Sequence, residues 1–177
     1  VALVALDAQV EITNSTGSQW LPVGSLFVRP GVSRVDSASE IVTSLRVPIL
    51  EPGQGTAMAR LAPSALREGS ALVLGMLLSL GEEGEAIEWA SLVVGAPQAT
   101  PSHLPRIEEA LAGMPVAEGK PRNVLAELQG DDRTLGEALA GLPPSVVGKL
   151  SELAAKAYDR ALSMAQRNLA RPPTTCP

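Results

Sequence analysis

The chain has 177 residues, of which 45% are hydrophobic and 19% charged; that is enough apolar material for a folded core and argues against disorder. With 2% aromatics and a net charge of −5, it has neither the stacking platforms nor the basic block that nucleic acid or an anionic membrane requires. The one cysteine, Cys176, can form no internal disulfide, and the one histidine, His103, has no sequence partners for a zinc site or a catalytic triad. Cys176 reads as an exposed tail residue and His103 as a surface or capping residue.

The chain opens "VALVALDAQV". It has no Met and no basic n-region, so this is not a signal peptide, and the missing Met points to a piece of something longer. "AQVEIT" (Ala8 to Thr13) alternates and reads as a strand, "NSTGS" as a turn, and "QWLPV" as a second short strand. "GSLFVRPGVSRVDSAS" reads as irregular, interrupted by Pro30 and Gly31. "EIVTSLRVP" alternates again, with Ile41, Thr43, Leu45 and Val47 on one face and Val42, Ser44 and Arg46 on the other. The "EPGQG" cluster turns the chain, and "TAMARLA" returns as a strand. "GQG" (Gly53 to Gly55) lacks the third glycine and following helix of a dinucleotide fingerprint, so it reads as a turn.

"REGSALVLGMLLSL" is ambiguous by periodicity, but Gly75 and the partner segment favour a strand. "GEEG" is a turn, and "EAIEWASLVV" completes a hairpin, with Ile87, Trp89 and Val93 able to share a face. The apolar run Ala71 to Leu80 is far short of the ~20 residues that span a bilayer, so the chain reads as soluble and cytoplasmic.

From Ser102 helical signals dominate. "SHLPRIEEALAG" has Ser102 as a candidate N-cap, Leu104, Ile107 and Leu111 on one face, and Gly113 at C′. "RNVLAELQG" reads as a short helix, and "TLGE" (Thr134 to Glu137) as a capping box. Ser145 to Ala170 reads as a long helix with Val146, Leu150, Leu153, Ala157, Ala161 and Met164 on one face. Strands first and helices second predict an α+β fold: an antiparallel sheet of about three or more strands with a C-terminal helical bundle on one face.

The chemistry-bearing clusters are sparse. Glu82, Glu83 and Glu85 lie on a turn, and Glu108 and Glu109 on a helix; both sets read as solvated charge rather than a buried acid–base pair. Ser145 and Lys149 stand four apart, the spacing of a Ser–Lys dyad on a helix, but Ser145 reads as an N-cap. No complete reaction is legible in this chain alone.

Three stretches, in order, resemble one family. "LVALDAQVEI" resembles the segment after the second FAD-binding motif in the flavin subunit of molybdenum hydroxylases; "EIVTSLRVP" is similar to that subunit's Glu-Ile-Leu-x-x-Ile-x-Ile-Pro strand. "ASLVVGAPQATPSHLPRIEEALAGMP" is similar to its Gly-Gly-Val-Ala-Pro-Thr stretch and the helix that follows. The family includes carbon monoxide dehydrogenase medium subunits and the central part of xanthine dehydrogenase.

The resemblance implies a C-terminal portion only. Residues 1–50 would be the remnant of an FAD-binding domain, and residues 51–177 a domain of antiparallel sheet and helix bundle. It implies a subunit that passes electrons from iron–sulfur clusters through FAD to an acceptor, beside a molybdopterin subunit and an iron–sulfur subunit. It also implies two flavin contacts. Val42, two residues after Glu40, matches the aliphatic residue beside the isoalloxazine ring. Arg60, twenty residues after Glu40, matches a basic residue near the flavin edge.

The chain departs from the family in lacking both glycine-rich phosphate loops, in writing the Gly-Gly motif as "VGAPQAT", and in carrying Arg67 and Glu68 where the family often has Arg and Asp. FAD would therefore be shared with an N-terminal segment or partner chain and not held by this chain alone. The other reading is a non-catalytic docking module with no flavin contact.

Overall fold

A computed structural model describes residues 1–61, 72–96, 99–116, 124 and 148–170. The elements run α1 (Ala2–Ala5), β1 (Gln9–Asn14), β2 (Gly17–Pro22), a 3-10 turn (Val23–Leu26), β3 (Phe27–Arg29), β4 (Val32–Ser33) and β5 (Ile41–Arg46). β6 (Gln54–Leu61), β7 (Leu72–Leu80), β8 (Ile87–Gly95), β9 (Ser102–His103), α2 (Pro105–Leu111) and α3 (Leu150–Leu169) follow. After the one-turn α1, strands precede helices, and all pairings among the described residues are antiparallel, so the α+β expectation holds.

Three sheets form: β2-β1-β5, the small β3-β4 hairpin, and β6-β7-β8-β9. β3 and β4 pair across Gly31, whose φ of 72° suits a residue without a β-carbon. The stretch expected to be irregular thus carries a short hairpin. The β1–β2 turn is held by Asn14, whose Oδ1 accepts from the Thr16 and Gly17 amides at 2.9 and 3.2 Å.

The apolar run ending at Leu80 is a strand because it is buried on both faces. Leu72, Leu74, Met76, Leu78 and Leu80 face the main core with α2 and α3. On the other face, α1 lies against β7: a β-carbon at Gly75 would sit 3.2 Å from Ala5 Cβ. A strand covered on both sides loses its alternation, which is why periodicity alone could not separate it from a helix.

β8 carries a bulge. Leu80 pairs with Ile87 and Ser79 with Trp89, leaving Glu88 as the extra residue. Ile87 therefore joins Ala90, Leu92 and Val94 in the main core, while Val93 enters a second core with Val4, Ala5, Ala8, Val10, Ile12 and Val23. The shared face expected for Ile87, Trp89 and Val93 is corrected by this register shift.

Gly55 is more than part of a turn. It lies in β6, and a β-carbon there would sit 2.9 Å from Ala165 Cα and closer still to the Ala161 carbonyl oxygen. Ala157, Ala161 and Ala165 are fully buried, so a row of small residues lets the α3 backbone rest directly on the strand. Gly53, at φ 78°, is the turn residue proper.

The expected N-cap at Ser102 is also corrected. Ser102 and His103 pair with Val94 and Val93, and Leu104 takes the capping position ahead of Pro105. Proline at the first helical position starts the helix and disfavours helical backbone before it. Leu104, Ile107 and Leu111 are buried, and Gly113 has φ 78° beyond the C-cap, both as expected.

In α3, Leu150, Leu153, Ala157 and Ala161 are buried as expected, but Ala165 continues the row and Met164 is half-buried. The expected short helix beginning at Arg122 (apart from Val124, which is helical), the capping box at Thr134, and Ser145, Val146, Arg67, Glu68 and Cys176 lie outside the described residues. Among the described residues, no helix is long and apolar enough to cross a membrane.

Candidate functional site

β5 forms because Ile41, Val42 and Thr43 are β-branched, and Pro48 follows to stop it. It pairs with β1 through a register shift: Ser44 faces Glu11, Val42 faces Ile12, and Thr43 is the extra residue. The two-face alternation read from the sequence is broken there. Val42 and Leu45 project with Ile12 and Val10, while Thr43, Ser44 and Arg46 belong to the face of Glu11.

That polar face is tightly connected. Glu11 Oε2 accepts from Ser44 Oγ at 2.8 Å and from Thr43 Oγ1 at 2.9 Å. The two hydroxyls, Ser44 first, hold the Glu11 carboxyl below the usual carboxylate range. Thr13 Oγ1 lies 2.8 Å from Ser18 Oγ. The Arg46 guanidinium stands over the Trp20 ring, 4.2 Å from its centroid. Sequence reading did not find this network, because a two-residue period assumes a constant register and the bulge gives no local signal.

Val42 is 46% exposed, so its aliphatic side chain is free to contact another group. Arg60, in β6, is exposed and makes no hydrogen bond or ion pair among the described residues. It pairs with Val73, on the β7 face turned away from α2 and α3. Val93 on that same face of the large sheet joins the core of Val10 and Ile12. Arg60 therefore lies on the side of the large sheet that carries the three-stranded sheet. Val42 and Arg60 sit on separate sheets, and no strand pairing joins them.

A second polar cluster lies at the end of β8. Glu108 Oε1 accepts from the Leu92 amide at 2.7 Å and lies 2.9 Å from His103 Nδ1. Hydrogen bonding to Glu108 raises the His103 pKa above its ordinary value; burial opposes this, and the charges of Glu108 and Asp7 add to it. Glu108 is thus a tertiary latch between α2 and β8, which corrects its reading as solvated charge. Glu82, Glu83 and Glu85 are exposed on their turn, as expected.

The flavin-contact expectation rests on residue type alone, since Val42 and Arg60 lie on separate sheets. An exposed aliphatic and a guanidinium without a partner among the described residues are the residue types that suit a ring apolar on its faces and anionic at one edge when reduced. The phosphate side has no such fit among the described residues: the Gly53–Gly55 segment is committed to a turn and to α3, and the N-terminal helix is one turn long.

No protein-family model and no curated protein matches the chain. Solved structures do. A Cu,Mo-CO dehydrogenase in its cyanide-inactivated form matches with a TM-score of 0.66 at 18% identity. Reconstituted CO dehydrogenase from Oligotropha carboxidovorans matches at 0.67 and 17%, and quinoline 2-oxidoreductase from Pseudomonas putida 86 at 0.60 and 17%. The matches cover 92%, 92% and 94% of this chain, but 56%, 55% and 55% of theirs. This chain thus spans little more than half the length of those proteins. At these identities the likeness is one of fold: that of part of the CO dehydrogenase and quinoline 2-oxidoreductase chains.

Proposed function

We propose that this chain is a component of a molybdenum-hydroxylase-type oxidoreductase and completes its flavin subunit. The observation that carries the proposal is the fold match over 92% of the chain to carbon monoxide dehydrogenase chains, reached independently of the motif order in the sequence. In this reading residues 1–50 finish an FAD-binding domain and residues 51–177 form the domain that follows it. A separate segment or chain supplies the phosphate site, and molybdopterin and iron–sulfur subunits complete a cytoplasmic assembly.

FAD, when bound, would exchange electrons between the iron–sulfur clusters and an acceptor. The side chains here have limited roles: Val42 offers an aliphatic surface to the ring, and Arg60 offers a fixed positive charge to its N1–O2 edge. A cation there stabilises the anionic reduced ring, so Arg60→Ala in the assembled complex lowers the flavin reduction potential. The isolated chain shows no flavin absorbance, and co-expression with the phosphate-binding segment restores it.

The second reading is a docking module without flavin contact, favoured by the separation of Val42 and Arg60 onto two sheets. An unchanged potential and turnover in Arg60→Ala would decide for it. Stoichiometric FAD on the isolated chain would overturn the shared-site account.

A further inference from the structure

Val42 and Arg60 lie on separate sheets, so the distance between them is set by how those sheets pack. α1 is rigidly joined to the three-stranded sheet. Asp7, at φ 50°, turns the chain out of the helix; its amide donates to the Val4 carbonyl at 3.0 Å, and the Ala8 amide donates to the Leu3 carbonyl at 2.9 Å. The Val23 amide then donates to the Ala8 carbonyl at 2.8 Å. Ile12, in the core that α1 helps to build, is the register partner of Val42. A movement of α1 on the large sheet therefore carries Val42 with it.

The footing of α1 is built from two glycines. Gly75 in β7 pairs with Val93 in β8, and Gly95 follows Val93 by two, so both glycines stand on one face of the large sheet. A β-carbon at Gly75 would lie 3.2 Å from both Val1 Cγ1 and Ala5 Cβ, and one at Gly95 would overlap Val1 Cγ2. The two methyls of Val1 thus straddle the two glycines. Valine is stiff about its first side-chain torsion, so neither methyl yields alone. Glycine inside a strand weakens it and marks a close approach of another backbone; here the approach is that of α1. Arg60, Val73 and Gly95 stand side by side across β6, β7 and β8, which places Arg60 about 10 Å, two strand spacings, from the footing.

Resting on the flavin reading above, we infer that Gly75 and Gly95 are positioning residues for the flavin: by seating Val1 they set the separation of Val42 from Arg60. In this role neither glycine touches the ring. Each omits a β-carbon that would raise α1, and with it β1 and β5, off the large sheet. Raising them widens the gap, and a ring resting on Val42 is withdrawn from the guanidinium. Gly24 is the contrast. A β-carbon there meets Val4 Cγ1 at an ordinary 3.6 Å, and both residues belong to the N-terminal unit rather than to the boundary between the sheets.

The test compares Gly95→Ala, Gly75→Ala, Gly24→Ala and Arg60→Ala in the assembled complex, reading FAD affinity, the flavin reduction potential and the urea midpoint. Gly95→Ala weakens FAD binding about tenfold, the size of effect that overpacking produces, and lowers the potential in the same direction as Arg60→Ala. Gly75→Ala, whose contacts need smaller displacements, gives a smaller change of the same sign, and it carries the test if Gly95→Ala does not assemble. Adding Val1→Ala to Gly95→Ala removes both straddling methyls and restores affinity and potential. Gly24→Ala leaves both unchanged. A lower urea midpoint with unchanged flavin properties, or a Gly95→Ala effect that Val1→Ala does not relieve, overturns the inference. Arg60→Ala separates it from the reading it rests on. If Arg60→Ala shifts the potential and neither glycine variant does, the positioning role fails and the flavin reading stands. If all three leave the potential unchanged, the flavin reading fails and the inference with it.

Discussion

β7 and β5 are both strands rich in aliphatic and β-branched residues, yet they end in opposite environments. β7 is buried along nearly its whole length, and β5 is exposed at every residue. β7 has a strand on each side, α3 on one face and α1 on the other. β5 has one neighbour and no helix among the described residues covering it. Strand-forming residues therefore did not decide burial; what the topology brought alongside them did. Ile41, Val42 and Leu45 on β5 stay exposed because nothing among the described residues covers them.

The most direct way to break the comparison is to truncate one leucine on each side. Leu74→Ala on β7, fully buried in the main core, costs ~2–5 kcal/mol of unfolding free energy, read from urea titrations. Leu45→Ala on β5 stays within about 0.5 kcal/mol in the isolated chain. Equal losses would show that β5 is already covered, and the contrast would fail.

Glycines give a second, somewhat smaller test. Gly55→Ala pushes a methyl group into the α3 backbone and costs ~1–3 kcal/mol. At Gly24, beside the second core, a β-carbon would lie an ordinary 3.6 Å from Val4 Cγ1, so Gly24→Ala is close to neutral by thermal melting. A tolerated Gly55→Ala would mean that α3 can slide on β6, and the main core would be looser than its burial implies.

The smallest effect lies at the seam between the two regions. His103 is faced by Glu108 on α2 and by Asp7 in the N-terminal segment. Its folded pKa is raised from 6.5, so the protonated ring stabilises the fold fully below about pH 6.5. That contribution is lost as pH rises through the folded value. The half-exposed pair is screened, and the difference is under ~1 kcal/mol. Denaturant titrations at pH 5.5 and 8.5 should show it, and Glu108→Gln should diminish it.

Much of the local structure was readable before the fold. Alternation at Ala8 to Thr13, the turn at Gly81 to Gly84, and the apolar spacing of Leu104, Ile107 and Leu111 each depend on neighbours within a few residues. The candidate contacts Val42 and Arg60 came from a family resemblance rather than from periodicity, and their exposure suits that role without establishing it. Glu108 was misread because its partners, the Leu92 amide and His103, come from a sheet edge that local sequence does not announce.

By itself the sequence determined where most strands and turns among the described residues fall, and that α+β order results. Those features follow from backbone preferences and short-range periodicity. Tertiary structure alone decided that Gly55 is a helix seat, that Glu88 and Thr43 are bulges that reassign whole strand faces, and that β7 is buried while β5 is open. The physical reason is common to all four. Register and burial depend on which surfaces meet across the fold, and residues distant in sequence set those meetings.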